Sequence, residues 1–380
     1  MSDKVVIFGA GATGRGHVGL LCWQAGYNLI FVDRDAGLVD ALQAAGRYTV
    51  SLFGPQRTDV TVSGFRVFHA EQRQAIAQEL ADAALVLTAV FDQNLPDVAR
   101  TLALGVRACR EAGRQTPLNC LACENMMNSS TVLGQHVKAL LTGEDLAYCN
   151  TYWGFPDCMI SRVVPRPPEG SLNLVAEDYN EWTACAAEFR GPKPAGLTAL
   201  ELVDNQTARL ERKLFIHNGA HAVCGYVAFH RGHRYVHEAV ADPVVAEHVL
   251  GALDELGEVV RRRHGFSAES IQAYKADFVR RGSLSELRDE ILRVVRDPIR
   301  KLSPRERLVA PALLAVEYGL PRCWITKGIV AALRYRHPAD PSSLALAEML
   351  ARDGLTTTLE RVCGIGQDSP LAAEIKAAYG

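Results

Sequence analysis

The chain has 380 residues, 48% of them hydrophobic, with 41 Lys and Arg against 43 Asp and Glu. This length accommodates two domains with their own cores, and the near-balanced charge excludes a nucleic-acid binder or an acidic tail as the governing feature. No apolar run approaches the roughly 18 residues of a membrane span, and because the first residues lead directly into a strand pattern no secretory leader is expected. A cytoplasmic protein with no membrane or nucleic-acid partner is expected. Its ten cysteines are scattered through apolar stretches, as reduced core thiols would be. Cys120 and Cys123 have a redox or zinc spacing but lie in a buried-strand pattern without a second ligand pair, so packing is expected there.

Residues 4–8 read as a buried strand that runs straight into Gly9-Ala-Gly11-Ala-Thr13-Gly14. An apolar helix pattern follows, then a second strand over residues 27–32 that ends at Asp33. Strand, glycine turn, helix, strand and acid form the dinucleotide-binding order. Gly9 makes the tight turn, Gly11 admits a pyrophosphate, and Gly14 lets the helix pack closely on the strand. The helix N-terminus, with Thr13 in its first turn, supplies unpaired N–H groups to the phosphates. Asp33 is placed to accept hydrogen bonds from a ribose diol and so favours NAD over NADP, although Arg34 beside it would offset some repulsion of a 2′-phosphate.

Further strands are expected at residues 48–52, 66–68, 84–90 and 118–122, separated in several places by helical patterns. Ala89 then sits at the carboxyl edge of a parallel sheet, where open α/β folds bind their ligands. Glu124 and Asn125 follow the strand at 118–122 and face the same crevice, with helix capping by Asn125 or Asn128 as the competing reading. Residues 150–168 suggest a strand and loop covering this domain. Pro/Gly clusters at 165–170 and 191–196 are breakers.

After residue 197 the pattern turns helical, most clearly at 250–260, 284–295, 308–318, 325–335 and 344–351. The expected fold is α/β. An N-terminal Rossmann-type doubly wound domain (1–196) is followed by a mainly α-helical domain (197–380). Within the second, Glu211 to His221 stands out. On a regular helix, Lys213, His217, His221 and Asn218 fall at about 0°, 40°, 80° and 140°. A lysine, an amide and two imidazoles on one side are unusual for a packing face, and a solvated polar face is the competing reading. Arg300, Arg305 and Arg307 lie near a helix start, where cations gain nothing from the dipole, so an anionic substrate is one use for them.

With these stretches in hand, the chain resembles the polyol-specific long-chain dehydrogenases, the mannitol dehydrogenase family, and looks most like the members that act on mannitol 1-phosphate. The resemblance covers nearly the whole chain. It is carried by the turn from Gly9 to Gly16, by residues 122–126, by Gly154-Phe155 and the run to Arg162-Val-Val-Pro165, by Lys213 with Asn218 and His221, by Arg300-Lys-Leu-Ser303 with Arg307, and by residues 317–321. It implies zinc-independent, NAD-dependent interconversion of a polyol or polyol phosphate and the ketose. Lys213 would be the general acid/base, Asn125 and Asn218 donors to the developing alkoxide, and His221 a substrate contact. Arg162, Arg300 and Arg307 would meet a substrate phosphate, or the carboxylate of a sugar acid in an alternative hexonate or uronate dehydrogenase.

The residue types suit that chemistry. A lysine base must titrate roughly two to three units below its ordinary value of about 10.4, and burial is the usual source. Neutral amides stabilise an oxyanion without forming a tight ion pair. Two positions depart from the family pattern: Ser161 replaces the usual Asp, and His217 a usual apolar residue. Both bear on the substrate more than on the reaction. A catalytically silent NAD sensor would be marked by loss of the lysine or asparagines, and all are present. A monomer or small homo-oligomer is expected.

Overall fold

In the computed structural model, which describes residues 4–380, the run Lys4–Phe8 forms the first strand, β1, buried at every position after Lys4. The other strands of the first unit are β2 (Asn28–Asp33), β3 (Arg47–Phe53), β4 (Thr58–Ser63), β5 (Arg66–His69), β6 (Leu85–Thr88) and β7 (Leu118–Ala122). They are followed by β8 (Trp153–Gly154), β9 (Cys158–Ser161), β10 (Leu174–Glu177), β11 (Glu181–Cys185) and β12 (Leu200–Val203). Six of these strands build one sheet in the order β5-β2-β1-β6-β7-β8, with every pair parallel. The chain reverses direction across the sheet between β1 and β6. In open α/β sheets that switch point is where the ligand crevice lies.

Alternation along the strands assigns each face a core. Val5, Ile7, Leu29, Phe31, Leu85 and Leu87 face one cluster, and Val6, Phe8, Ile30, Val32 and Val86 face the other. Both faces are covered, which is why these strands read as continuous apolar runs. Helices Arg73–Leu80, Leu95–Glu111 and Ser129–Ala139 cover the second face. The first face carries the helix after the glycine turn, together with side chains of two smaller sheets.

The strand expected at residues 48–52 forms, but outside the main sheet. As β3 it pairs antiparallel with β4 and parallel with β10. Its burial falls on alternate residues, Tyr48 and Val50, the mark of a strand buried on one side. The strand β12 pairs with β11 and so belongs with the first unit, which ends at Arg209.

The second unit, Leu210–Gly380, is helical. Its longest helix, Pro243–His264, starts from local chemistry: the Asp242 carboxylate accepts from the Val244 N–H at 2.8 Å, and Pro243 occupies the first position. It stops at Gly265, whose φ of 72° suits the left-handed C-cap. Helix Asn218–His230 is surrounded by this core, and most of its residues are buried. Residues 284–295 do not make the single helix their spacing suggests. A short 3-10 turn, Ser285–Leu287, and helix Ile291–Val295 are separated by Arg288 in a left-handed conformation, φ 44°. Their apolar side chains still reach the core, but the main chain bends so that Asp289 can turn inward.

None of the described helices is long and apolar enough to cross a membrane. All ten cysteines are free thiols. Cys123 and Cys158 approach to 3.9 Å within the buried region, where their mutual contact and then burial hold the Cys123 thiol far above its ordinary range.

Candidate active site

In the first unit, the glycine turn is arranged as its spacing requires. Gly9 has φ 98°, and a Cβ there would lie 2.3 Å from the Ala89 carbonyl oxygen. A Cβ on Gly14 would lie 1.8 Å from the Gly9 carbonyl oxygen, so helix and turn are in backbone contact. Gly11 differs: a Cβ there would meet nothing within 4 Å. Its missing side chain serves no internal contact, which leaves the approach to the turn open to an incoming group. The helix then opens into a π turn at Gly14–Gly19, after a first turn that contains Thr13. Its first N–H groups have no partner within the helix. Ala89 continues β6 at the same edge, its N–H bonded to the Phe8 carbonyl at 2.7 Å.

Asp33 ends β2 with its carboxylate aimed at this turn. Oδ2 accepts from the Ala10 N–H at 2.7 Å and Oδ1 from the Asp35 N–H at 3.0 Å. Two held oxygens with lone pairs to spare are suited to a ribose diol. The Arg34 guanidinium donates instead to Asn94 Oδ1 at 3.2 Å. Sequence reading missed Arg15, a buried arginine inside the turn region. It donates to the Ala10 carbonyl at 2.6 Å and to the Leu172 carbonyl, and stacks over Tyr48 at 5.1 Å. It ties the glycine turn to the second sheet.

At the carboxyl end of β7, the Glu124 carboxylate accepts from the Thr88 hydroxyl at 2.7 Å and from the Val90 N–H at 2.9 Å. Burial pushes its carboxyl above the ordinary range against those hydrogen bonds. It joins the ends of β6 and β7 just before Asn125, which is exposed on this unit's turn. Asn128 does not cap the next helix with its side chain; the Ser130 and Thr131 N–H groups are taken by Asp157 Oδ1, each at 3.0 Å.

In the second unit, residues Lys213–His217 form a π turn, closed by the Asn218 N–H donating to the Lys213 carbonyl. The positions expected from a regular helix therefore do not hold. A π turn holds one extra residue, so one step of about 100° is absorbed between Lys213 and Asn218. Five positions then behave as four and eight as seven, which brings Asn218 to about 40° from Lys213 and His221 to about 20° on its other side. Lys213, Asn218 and His221 share one narrow stripe. Asn218 is only 9% exposed, yet its side-chain amide has no hydrogen bond to any described residue.

His221 Nε2 lies 3.3 Å from Oδ2 of Asp289, a buried residue that sequence reading did not select. The Arg293 guanidinium grips the same carboxylate at 2.6 and 2.7 Å. Against desolvation by burial, the His221 and Arg293 contacts hold the Asp289 carboxyl well below its usual range. His217 is buried, with Nδ1 lacking a hydrogen-bond partner and its ring 5.4 Å from Phe278. Burial first, then Arg281, His221, Lys213 and Arg293, hold its pKa well below the usual value, so it is a neutral imidazole.

The three arginines assigned to an anion have protein partners. Arg162 donates to the Tyr179, Gly16 and Asp178 carbonyls at 2.9, 3.3 and 3.4 Å, and burial brings its pKa down to about 10. It is a clamp on the main chain. Arg300 reaches Asp297 at 2.9 Å and Glu306 at 3.1 Å, and buried Arg307 reaches the other oxygen of Glu306 at 2.8 Å. Between them sits Lys301, bonded to the Arg296 carbonyl and pushed down to about 7 by burial and then by the two arginines. The described residues include no group of three or more His, Cys, Asp or Glu side chains suited to a metal ion.

Two family models together match nearly the whole chain. The mannitol dehydrogenase Rossmann domain matches residues 3–195, and the mannitol dehydrogenase C-terminal domain matches residues 207–380. Among solved structures, mannitol 2-dehydrogenase of Pseudomonas fluorescens, in ternary complex with NAD and D-mannitol, is similar with a TM-score of 0.79 and 18% identity. That similarity covers 100% of this chain and 92% of the other. A substrate-free D-sorbitol dehydrogenase gives a TM-score of 0.83 at 16% identity, over 100% and 93% of the two chains. At these identities the likeness is one of fold.

Proposed function

The chain belongs to the mannitol dehydrogenase family, and from that premise we propose an NAD-dependent dehydrogenase that interconverts a polyol, or polyol phosphate, and the corresponding ketose. The observation that carries this reading is the stripe made by the π turn: Lys213, an unpaired Asn218 amide, and His221 backed by Asp289. NAD, when bound, accepts the hydride from the reacting carbon. Gly9, Gly11, Thr13, Gly14 and Ala89 would border its phosphates, and Asp33 would hold its adenosine ribose.

In oxidation, Lys213 Nζ takes the proton of the secondary hydroxyl while the C–H bond gives up its hydride and the C=O bond forms. The amides assigned to the oxygen as it gains negative charge are Asn218 and Asn125, whose N–H groups would donate hydrogen bonds to it. Positioned amides of this kind act most strongly on the transition state, where that charge is greatest. In ketose reduction Lys213 returns the proton. Arg300 and Arg307 are the groups assigned to a substrate phosphate, which would compete with Glu306 for them. Arg162 supports the main chain instead.

A substrate panel tests the reading. Purified protein and NAD are offered hexitols, hexitol phosphates, hexonates and uronates, and reduced cofactor is followed by absorbance. Turnover of a hexitol or its phosphate is expected. Activity confined to the sugar acids would replace the proposed substrate class while retaining the same base. The cofactor assignment has its own test: Asp33→Ala should shift the ratio of kcat/KM for NAD and NADP toward NADP by about tenfold or more, the worth of one to two charge-assisted hydrogen bonds. An unchanged ratio would assign the preference to Arg34 or another group.

A further inference from the structure

Asp289 is placed with more care than a general core contact requires. Arg288 before it has φ 44°, a left-handed conformation that side-chain-bearing residues rarely adopt. The Asp289 carbonyl accepts from the Val236 N–H at 2.9 Å, and Tyr235 and Glu290 form an isolated bridge alongside. The main chain is thus pinned on both sides of Asp289. Its side chain is pinned by Arg293, whose Nε meets Oδ1 and whose Nη2 meets Oδ2. What remains is the Oδ2 side facing His221 Nε2 at 3.3 Å.

A carboxylate gripped by a guanidinium can only accept hydrogen bonds. The nitrogen facing it must therefore carry a proton. In the neutral ring the other nitrogen, Nδ1, is then an acceptor. Nδ1 of His221 has no hydrogen-bond partner among the described residues, and Phe278 packs edge-on at 6.3 Å against the same ring. We propose that Asp289 is a positioning residue that fixes His221 in the Nε2–H tautomer, so that Nδ1 accepts a hydrogen bond from a substrate hydroxyl. The inference rests on His221 as a substrate contact and narrows what it contacts. A hydroxyl can donate to Nδ1; a carboxylate or dianionic phosphate offers only acceptors and is repelled there. The part of the substrate beside His221 is an uncharged polyhydroxy segment, with any anionic group elsewhere.

Long-range proton–nitrogen NMR of the full chain labelled at histidine tests the tautomer directly, with His221→Ala identifying the signal. At a pH where the ring is neutral, the wild type should show protonated Nε2 and bare Nδ1. In Asp289→Asn, Arg293 has only donors and claims the amide oxygen, which turns the NH2 toward Nε2 and moves the ring proton to Nδ1. Turnover of the hexitol substrate should fall roughly 10- to 100-fold in Asp289→Asn, by analogy with the loss of the outer partner of a metal-bound histidine. In the His221→Ala background the same change should cost less than about twofold, because coupled residues are not additive. A wild-type ring protonated at Nδ1 overturns the positioning by Asp289, and it can be read even if Asp289→Asn fails to fold. Additive losses in the double variant overturn the route through His221. Normal turnover in His221→Ala overturns the earlier assignment of His221 itself, and with it the hydroxyl contact.

Discussion

Lys213→Ala is expected to lower turnover by about 10²–10⁴-fold, the usual contribution of a positioned acid/base, while NAD affinity stays at the wild-type value. The separation follows from where the residues are. Lys213 begins the π turn of the second unit, whereas the glycine turn and Asp33 belong to the first. Cofactor titration by fluorescence and single-turnover hydride transfer would measure the two quantities independently. A small primary amine added to the solution should restore part of the lost rate, since it supplies the missing proton acceptor. Near-normal turnover without added amine would remove Lys213 from its assigned role.

The second large effect separates two glycines of one turn. Gly14→Ala would drive a Cβ to 1.8 Å from the Gly9 carbonyl oxygen, and neither backbone can yield without moving β1 against its helix. A loss of about 1–3 kcal/mol or more is expected from such overpacking, read as a lower denaturant midpoint. Gly11→Ala should leave that midpoint within about 0.5 kcal/mol of wild type, because its Cβ would meet nothing within 4 Å. Its defect should be confined to the cofactor, with KM for NAD raised by tenfold or more at about 1.4 kcal/mol per decade. Equal KM in Gly11→Ala and wild type would mean that the dinucleotide phosphates do not approach this turn.

The glycine turn was legible because its parts are local: Gly9, Gly11, Gly14 and Asp33 occupy one strand–helix–strand unit, and close backbone contacts within it dictate Gly9 and Gly14. The two-domain α/β and helical order was legible for the same reason, since apolar periodicity reports the burial of each segment separately. Periodicity could not say which sheet a strand joins. Tyr48 and Val50 alternate correctly, but β3 finds its partners in β4 and β10. It also suggested a helix through residues 284–295, whose apolar side chains reach the core by a bent path. Asp289 was invisible for that reason: it stands four positions before Arg293, but no spacing links either residue to His221. The arginines were chosen from the helix-start argument and the family resemblance, neither of which shows Glu306 or the carbonyls that occupy them.

The wide turn at Lys213–His217 has one further consequence, for how this stretch can change during evolution or redesign. Asn218 lies five positions after Lys213, where an uninterrupted helix would align two side chains four positions apart. The surplus residue acts as a phase correction, and the alignment of lysine with amide depends on its number more than on its identity. Exchanging Leu214 or Ile216 for another apolar residue keeps the phase. Deleting either one lets the turn relax into ordinary helix with its hydrogen bonds intact, and the segment can stay helical. A surviving helix at Asn218–His230 would not by itself show that the site is preserved: if the turn stayed wide after the deletion, Lys213 would swing by about 100°, whereas relaxation to ordinary helix would return it to the stripe. Circular dichroism could not distinguish these two states, but the rate of hydride transfer would.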